Sequence, residues 1–186
     1  MTSPTPRLDV AIVTFGTRGD TQPFIRVAQE LQQQGHRVRI TVSPAHEAWI
    51  RDEYGLEAWP LGYDMAPAIV LHQAGKSYKT KAMVNGEFAR MTKGLKRMFE
   101  EHWRVCWAEN KDRKDERPFV ADAIIASPPP MTHFNIAQRL SVPLHLVHAN
   151  PRSATKAWPH SERNPCDAIL KDCEQNYQSW HAEEAK

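Results

Sequence analysis

Short apolar runs and longer amphipathic stretches alternate along the chain from Leu8 to Ala149. The first run, LDVAIVT from Leu8 to Thr14, is almost continuously apolar and rich in β-branched residues, the pattern of a strand covered on both faces in a parallel sheet. A polar turn, GTRGD, follows it. From Thr21 the period changes: Phe24, Val27, Ala28 and Leu31 recur at helical spacing, and the pattern places Pro23 in the first turn, where a missing N–H costs little. Gly35 closes this helix in the position after its last turn, which glycine fills without steric penalty. His36 to Ser43, HRVRITVS, alternates polar and apolar residues as a second strand. Strand, helix and strand in this order predict a βαβ unit, whose crossover is right-handed.

The alternation continues. Pro44 to Tyr54 reads as a short helix broken at Gly55, and LEAWPL as a brief third strand ending at Pro60. Tyr63 to Gly75 shows no clear period, and Gly75 to Lys81 is polar and basic enough to be a loop. Met83 to Trp107 carries Phe88, Met91, Leu95, Met98, Phe99, Trp103 and Cys106 at three-to-four spacing, predicting a long amphipathic helix with these residues in the core. Glu109 to Pro118 mixes both signs of charge without apolar anchors and reads as a solvated linker. Val120 to Ser127 repeats the buried-strand pattern and is stopped by Pro128, Pro129 and Pro130. A helix from Met131 to Leu140 and a strand from Leu144 to Ala149 complete a second crossover. The fold class is α/β, an open, mostly parallel Rossmann-like sheet with helices on both faces. A final helix is expected over 161–186, with Cys166, Ile169, Leu170, Cys173, Tyr177 and Trp180 along one side to pack on the domain, residues 1–160, or on a partner chain.

Composition narrows the function classes. With 186 residues, 41% of them hydrophobic, the chain fits one domain with an independent core. A net charge of +2 gives no support to nucleic-acid binding. No apolar stretch approaches the ~18 residues that would suggest a membrane span. MTSPTPRLDV lacks the features of a secretory signal, so a cytoplasmic location is expected, with association at a membrane periphery left open. Cys106, Cys166 and Cys173 form no C-x-x-C pair; free thiols are expected, and no metal site.

Open α/β sheets bind ligands at the carboxyl ends of their strands, and three polar segments fall there: Gly16 to Gln22, Ser127 to His133, and His148 to His160. In the first, Gly16 and Gly19 would let the backbone turn tightly, and Asp20 would sit at or just before the helix N-terminus. Two roles suit that aspartate: capping exposed N–H groups, or acting as general base toward a hydroxyl held over the sheet edge. A phosphate loop fits less well. Neither G-x-G-x-x-G nor G-x-x-x-x-G-K-[ST] is present, and an aspartate there would repel phosphate.

GTRGDTQP, then QGHRVRI, then PFVADAIIASPPPMTHFNIAQRLSVPLHLV, in this order, resemble the N-terminal half of GT-B glycosyltransferases of the sterol glucosyltransferase and glycopeptide-antibiotic type, the glycosyltransferase family 28 N-terminal domain. The resemblance runs from about Val10 to Pro151. It implies an acceptor-binding half for a lipophilic alcohol such as a sterol or terpenoid. Carried over by motif, the base falls on Asp20, with Gly16, Thr17, Arg18 and Gly19 as its loop neighbours. His133 follows the triple proline where the family also places a histidine; it would line the acceptor cleft or be satisfied by backbone at a helix start. His160 follows Pro159 in a similar way, with no assigned role. Asn150, Pro151 and Arg152 depart from a Met-Pro-Trp stretch of the sterol enzymes, which removes apolar area from an acceptor surface.

The family's His-, Gly- and acid-rich donor signature has no counterpart in the sequence. The resemblance therefore implies no cofactor bound by this chain alone, a UDP-sugar held only with a partner domain, and a donor-domain protein or a homodimer as possible partner. A catalytically inactive relative serving as small-molecule binder or scaffold is the alternative reading. A new reaction on such ligands, using Asp20, His133 or His160, is a third.

Overall fold

A computed structural model describes residues 6–67, 69, 83, 85–109, 117–128, 132–148 and 156. The chain divides into two compact units, Met1–Ala149 and Asn150–Lys186. All elements below belong to the first. His160, the basic stretch from Gly75 to Lys81, most of the charged run after Glu109 and the expected helix over 161–186 lie outside the described residues.

Five parallel strands, β1 (Asp9–Val13), β2 (Arg37–Val42), β3 (Glu57–Pro60), β4 (Ala123–Ala126) and β5 (Leu144–Leu146), form one sheet in the order β3-β2-β1-β4-β5. Helices α1 (Arg18–Gln33) and α2 (Glu47–Tyr54) join the first three strands, α3 (Glu87–Arg104) precedes β4, and α4 (His133–Leu140) precedes β5. The side-chain period of two divides the core. Val10 and Ile12 of β1, with Val38, Ile40 and Val42 of β2, pack against Phe24, Ile25 and Ala28 of α1 and Ile50 of α2. Ala11 and Val13, with Ile124 and Ala126 of β4, pack with Ile136 and Ala137 of α4 and with Val105 and Cys106 just past α3. Both faces of the sheet are covered, as the apolar run of β1 requires.

The helix after β1 begins a turn earlier than the apolar period predicts. Thr17 caps it, its Oγ1 accepting the Asp20 N–H at 3.3 Å, while the Thr21 N–H donates to the Thr17 carbonyl at 2.9 Å. Pro23 therefore lies inside the helix, without the N–H that would reach the Gly19 carbonyl. In α3 the core face is Gly94, Met98 and His102; Phe99, expected in the core, is 40% exposed.

Strand β2 forms where its alternation predicts, and both of its faces are interior. All six of its residues are buried, so Arg37, Arg39 and Thr41 form a second interior face. Arg39 and Glu57 are register partners on β2 and β3, and their side chains meet at 2.5 Å. Glu57 also takes Arg37, at 3.3 Å. Arg39 donates to the carbonyls of Ala108 and Val105 past the end of α3, and its guanidinium lies 4.1 Å from the Phe119 ring centroid. Burial pulls the Arg39 pKa down, and the Glu57 carboxylate opposes the shift. At the same end of the sheet Arg117, the last arginine of the charged run, pairs with buried Asp9. That run is anchored there rather than wholly solvated.

This network predicts a sharp contrast. Glu57→Gln leaves two buried guanidinium groups without their carboxylate and should lower unfolding free energy in urea by about 3–5 kcal/mol. Glu30→Gln, which breaks the exposed pair Arg26–Glu30 at 3.7 Å, should change it by less than about 0.5 kcal/mol.

Candidate functional site

The strand order runs outward from β1 to β3, then resumes on the other side of β1 with β4. The loops leaving β1 and β4 consequently diverge and open a crevice at the carboxyl edge, the place where open α/β sheets hold ligands.

The turn after β1 is tied to β2. The Thr14 N–H donates to Thr41 Oγ1 at 2.7 Å, Thr14 Oγ1 donates to the Thr41 carbonyl at 3.0 Å, and the Ser43 N–H donates to the Gly16 carbonyl at 2.8 Å. Gly16 has a left-handed φ of +81°, and a Cβ there would lie 2.4 Å from the Ser43 nitrogen. Only glycine fits both demands. Gly19 does not share this role. Its φ is not left-handed, and a Cβ on it would meet nothing within 4 Å. Arg18, the first helical residue, stacks its guanidinium on Trp49 of α2 at 4.7 Å, which supports the loop from outside.

Asp20 is the third residue of α1, inside the helix rather than before it. Thr17 does the capping. The Asp20 carboxylate instead reaches back to accept the Phe15 N–H at 2.5 Å with one oxygen, and with the other it accepts the Ser127 hydroxyl at 2.8 Å. Ser127 is buried just beyond β4, and its own N–H donates to the Val13 carbonyl at 3.0 Å. A single carboxylate thus clasps both sides of the crevice. A carboxylate offers about four lone-pair positions, so two remain for a further donor.

Beneath the turn lies a histidine that the apolar period of α3 conceals. His102 is fully buried, with Nε2 3.0 Å from the Thr14 carbonyl and Nδ1 3.0 Å from Thr132 Oγ1. A carbonyl can only accept, so Nε2 carries the proton and Nδ1 accepts from the threonine hydroxyl. Burial pushes its pKa down to about 4, against the Thr14 bond that favours the charged form, and a nearby His133 lowers it further. The ring is a neutral strut between the end of β1 and the start of α4. Cys106, one turn on, is also buried, and its thiol is pushed up to about 12 by burial, which leaves it inert.

His133 opens α4 and is fully buried, yet neither ring nitrogen has a hydrogen-bond partner. The alternative of a helix-start histidine satisfied by backbone is not observed. Burial lowers its pKa, so the ring is uncharged at neutral pH with its polar atoms unmatched. The site therefore joins Asp20, Gly16, Thr17 and Ser127, with His102 below and His133 at the start of α4. Ser127 could have been suspected from its place at the end of an apolar run. His102 could have been found as a polar residue in register with Met91, Leu95 and Met98. Among the described residues, no group of three His, Cys, Asp or Glu side chains is placed to hold a metal ion, and no helix is long and apolar enough to cross a membrane.

This architecture is an open α/β domain with an acid at its switch point. The chain belongs to the glycosyltransferase family 28 N-terminal domain, whose family model matches residues 10–159. A sterol 3-beta-glucosyltransferase of Arabidopsis thaliana, UGT80B1, is 35% identical over 158 residues, covering 83% of this chain and 24% of its own length. The terpene cyclase-glycosyl transferase fusion protein fsoA of Humicola fuscoatra is 29% identical over 167 residues, covering 83% of this chain and 12% of its own. The solved calicheamicin glycosyltransferase CalG4 is similar in fold, with a TM-score of 0.53 and 12% identity over 98% of this chain and 38% of that one. The chain spans a quarter or less of the two curated relatives. Its sheet is one half of a GT-B fold.

The buried His102 gives the site a pH signature. Between its folded value of about 4 and the ordinary 6.5, the unfolded chain binds more protons than the folded one. Stability then rises with pH across that window and is lost as pH falls through it. Urea unfolding at pH 4.5 and pH 7 should show a wild-type loss that exceeds the loss in His102→Gln by about 2–3 kcal/mol.

Proposed function

We propose that this domain binds a lipophilic alcohol, of the sterol or terpenoid class, and presents its hydroxyl for hexosyl transfer from a UDP-sugar. The observation that supports this most directly is the placement of Asp20. Its carboxylate is fixed across the switch-point crevice by Phe15 and Ser127, with lone pairs left over for an incoming hydroxyl.

In this reading Asp20 takes the proton from the acceptor hydroxyl as that oxygen attacks the anomeric carbon. The bond from that carbon to the diphosphate breaks, and UDP leaves with the electron pair. Ser127 acts through Asp20 as a positioning residue, and Gly16 lets the turn approach β2 closely enough to aim it. His133, fully buried at the start of α4, supports the loop that follows β4 rather than touching the acceptor. Arg18 and Thr17 hold the loop without touching the reacting atoms. The nucleotide sugar is held by a donor-binding domain, in keeping with relatives that extend far beyond the matched residues. The names of the plant and fungal relatives favour a sterol or terpenoid as the acceptor class.

Asp20→Asn keeps the shape of the clasp, because the amide oxygen can still accept from Phe15 and the amide N–H can donate to Ser127. With a donor-binding domain supplied, transfer of labelled glucose from UDP-glucose to a sterol should fall by about 10²–10⁴-fold. Sterol affinity, read by equilibrium binding, should stay within about twofold, because the base acts only in the transition state. Transfer at the wild-type rate by this variant would remove Asp20 as the base. Sterol binding without transfer in wild type and variant alike would favour the scaffold reading.

A further inference from the structure

One peptide unit joins the turn after β1 to the buried histidine beneath it. The Nε2–H of His102 donates to the Thr14 carbonyl at 3.0 Å, and the N–H of the same planar amide, that of Phe15, donates to the Asp20 carboxylate. This amide is trans, so its carbonyl and N–H point in opposite directions. His102 and Asp20 therefore sit at the two ends of one dipole. On the far side of the ring, Nδ1 lies 3.0 Å from the Thr132 hydroxyl. A single chain of hydrogen bonds thus runs from Thr132 through His102 and the Thr14–Phe15 amide to Asp20, which Ser127 meets from the other side. Every donor in it points toward the carboxylate. Bonds aligned in this way polarise one another, each strengthened by about 10–30%.

Two details separate this chain from ordinary core filling. Thr132 stands in the cap position of α4, yet its side chain makes no capping bond. Its hydroxyl is given to the histidine instead, and by occupying Nδ1 it keeps the ring proton on Nε2, the nitrogen that faces Thr14. The other donor at the Thr14 carbonyl is the Thr41 hydroxyl, at 3.1 Å, whose one proton is also within reach of the Ile12 carbonyl at 3.3 Å. His102 is the donor committed to this amide.

We infer that His102 is a positioning residue for the transfer reaction, acting on Asp20 through the Thr14–Phe15 amide, with Thr132 fixing its tautomer. This rests on the reading of Asp20 as the base and adds the residues that hold its carboxylate from below.

Gln and Asn variants test it, because a Gln amide N–H stands near the place of Nε2–H and an Asn amide near that of Nδ1. With a donor-binding domain supplied, His102→Asn should lower kcat for sterol glucoside formation by about three- to tenfold, the rate equivalent of one hydrogen bond, with KM for the sterol within about twofold. His102→Gln should recover most of that loss. In the Asp20→Asn background, His102→Asn should cost nothing further. In NMR spectra of the full chain alone, the Phe15 amide proton should move upfield in His102→Asn and return toward its wild-type position in His102→Gln. Thr132→Val, which frees Nδ1 to take the ring proton, should lower kcat in the same direction by a smaller factor, and it serves where His102→Asn lowers the melting temperature. Equal losses in the Gln and Asn variants, a loss carried by KM, unchanged transfer in Thr132→Val, or a full further loss in the Asp20→Asn background would make His102 a strut alone and overturn the proposal. Wild-type transfer by Asp20→Asn would overturn the base beneath it, and the Phe15 resonance, which needs no transfer, tells the two failures apart.

Discussion

Because the strands are all parallel and such crossovers have one hand, a chain that winds outward from β1 to β3 has to return across the sheet before it can place β4 on the far side of β1. Everything at the site follows from that return. It is made by α3, which covers the opposite face from α1 and α2 and sets His102 beneath the end of β1. The loops leaving β1 and β4 then part, and Asp20 and Ser127 meet across the gap. A slip of one residue in the pairing of Val13 with Ala126 would move Ser127 along the strand axis and separate the two groups.

The two ends of the sheet divide the work. At the amino end, Asp9, Arg37, Arg39 and Glu57 are buried charges matched to one another, to Arg117 and to backbone carbonyls. Such pairs add little net stability over an apolar core, but breaking one is costly, so they hold β2, β3 and the exit of α3 in one arrangement. At the carboxyl end the polar groups are less completely matched. Asp20 keeps spare lone pairs, and His133 has no partner at either nitrogen. An unmatched buried polar atom carries a cost of about 1–3 kcal/mol, and among the described residues His133 alone carries it.

The sequence makes the sheet and its helices legible because each uses a distinct period. The apolar run of β1, the 3.6-residue period of α1 and α3, and the proline stop after β4 all correspond to elements of the structure. The acid of the site was legible too, through the GTRGD turn. What escaped were features set by tertiary neighbours rather than by period. Arg37 and Arg39 occupy the polar positions of an alternating strand, and nothing local says that Phe119 and the segment past α3 cover them. The start of α1 was placed late because Pro23 reads as a first-turn residue, whereas the Thr17 cap begins the helix before it. Gly19 looked like a partner to Gly16, yet only Gly16 is crowded by a neighbouring strand. Ser127 and His102 were hidden because their partners lie 107 and 88 residues away along the chain.

The central claim is that Asp20 and Ser127 act as one unit across the crevice. A double-mutant cycle on sterol glucoside formation, with the donor-binding domain supplied, tests it most directly. Ser127→Ala alone should slow transfer by about tenfold or more, and in the Asp20→Asn background it should have no further effect, because Ser127 works only through the carboxylate. Full additivity of the two losses would show that they act independently and would contradict the account.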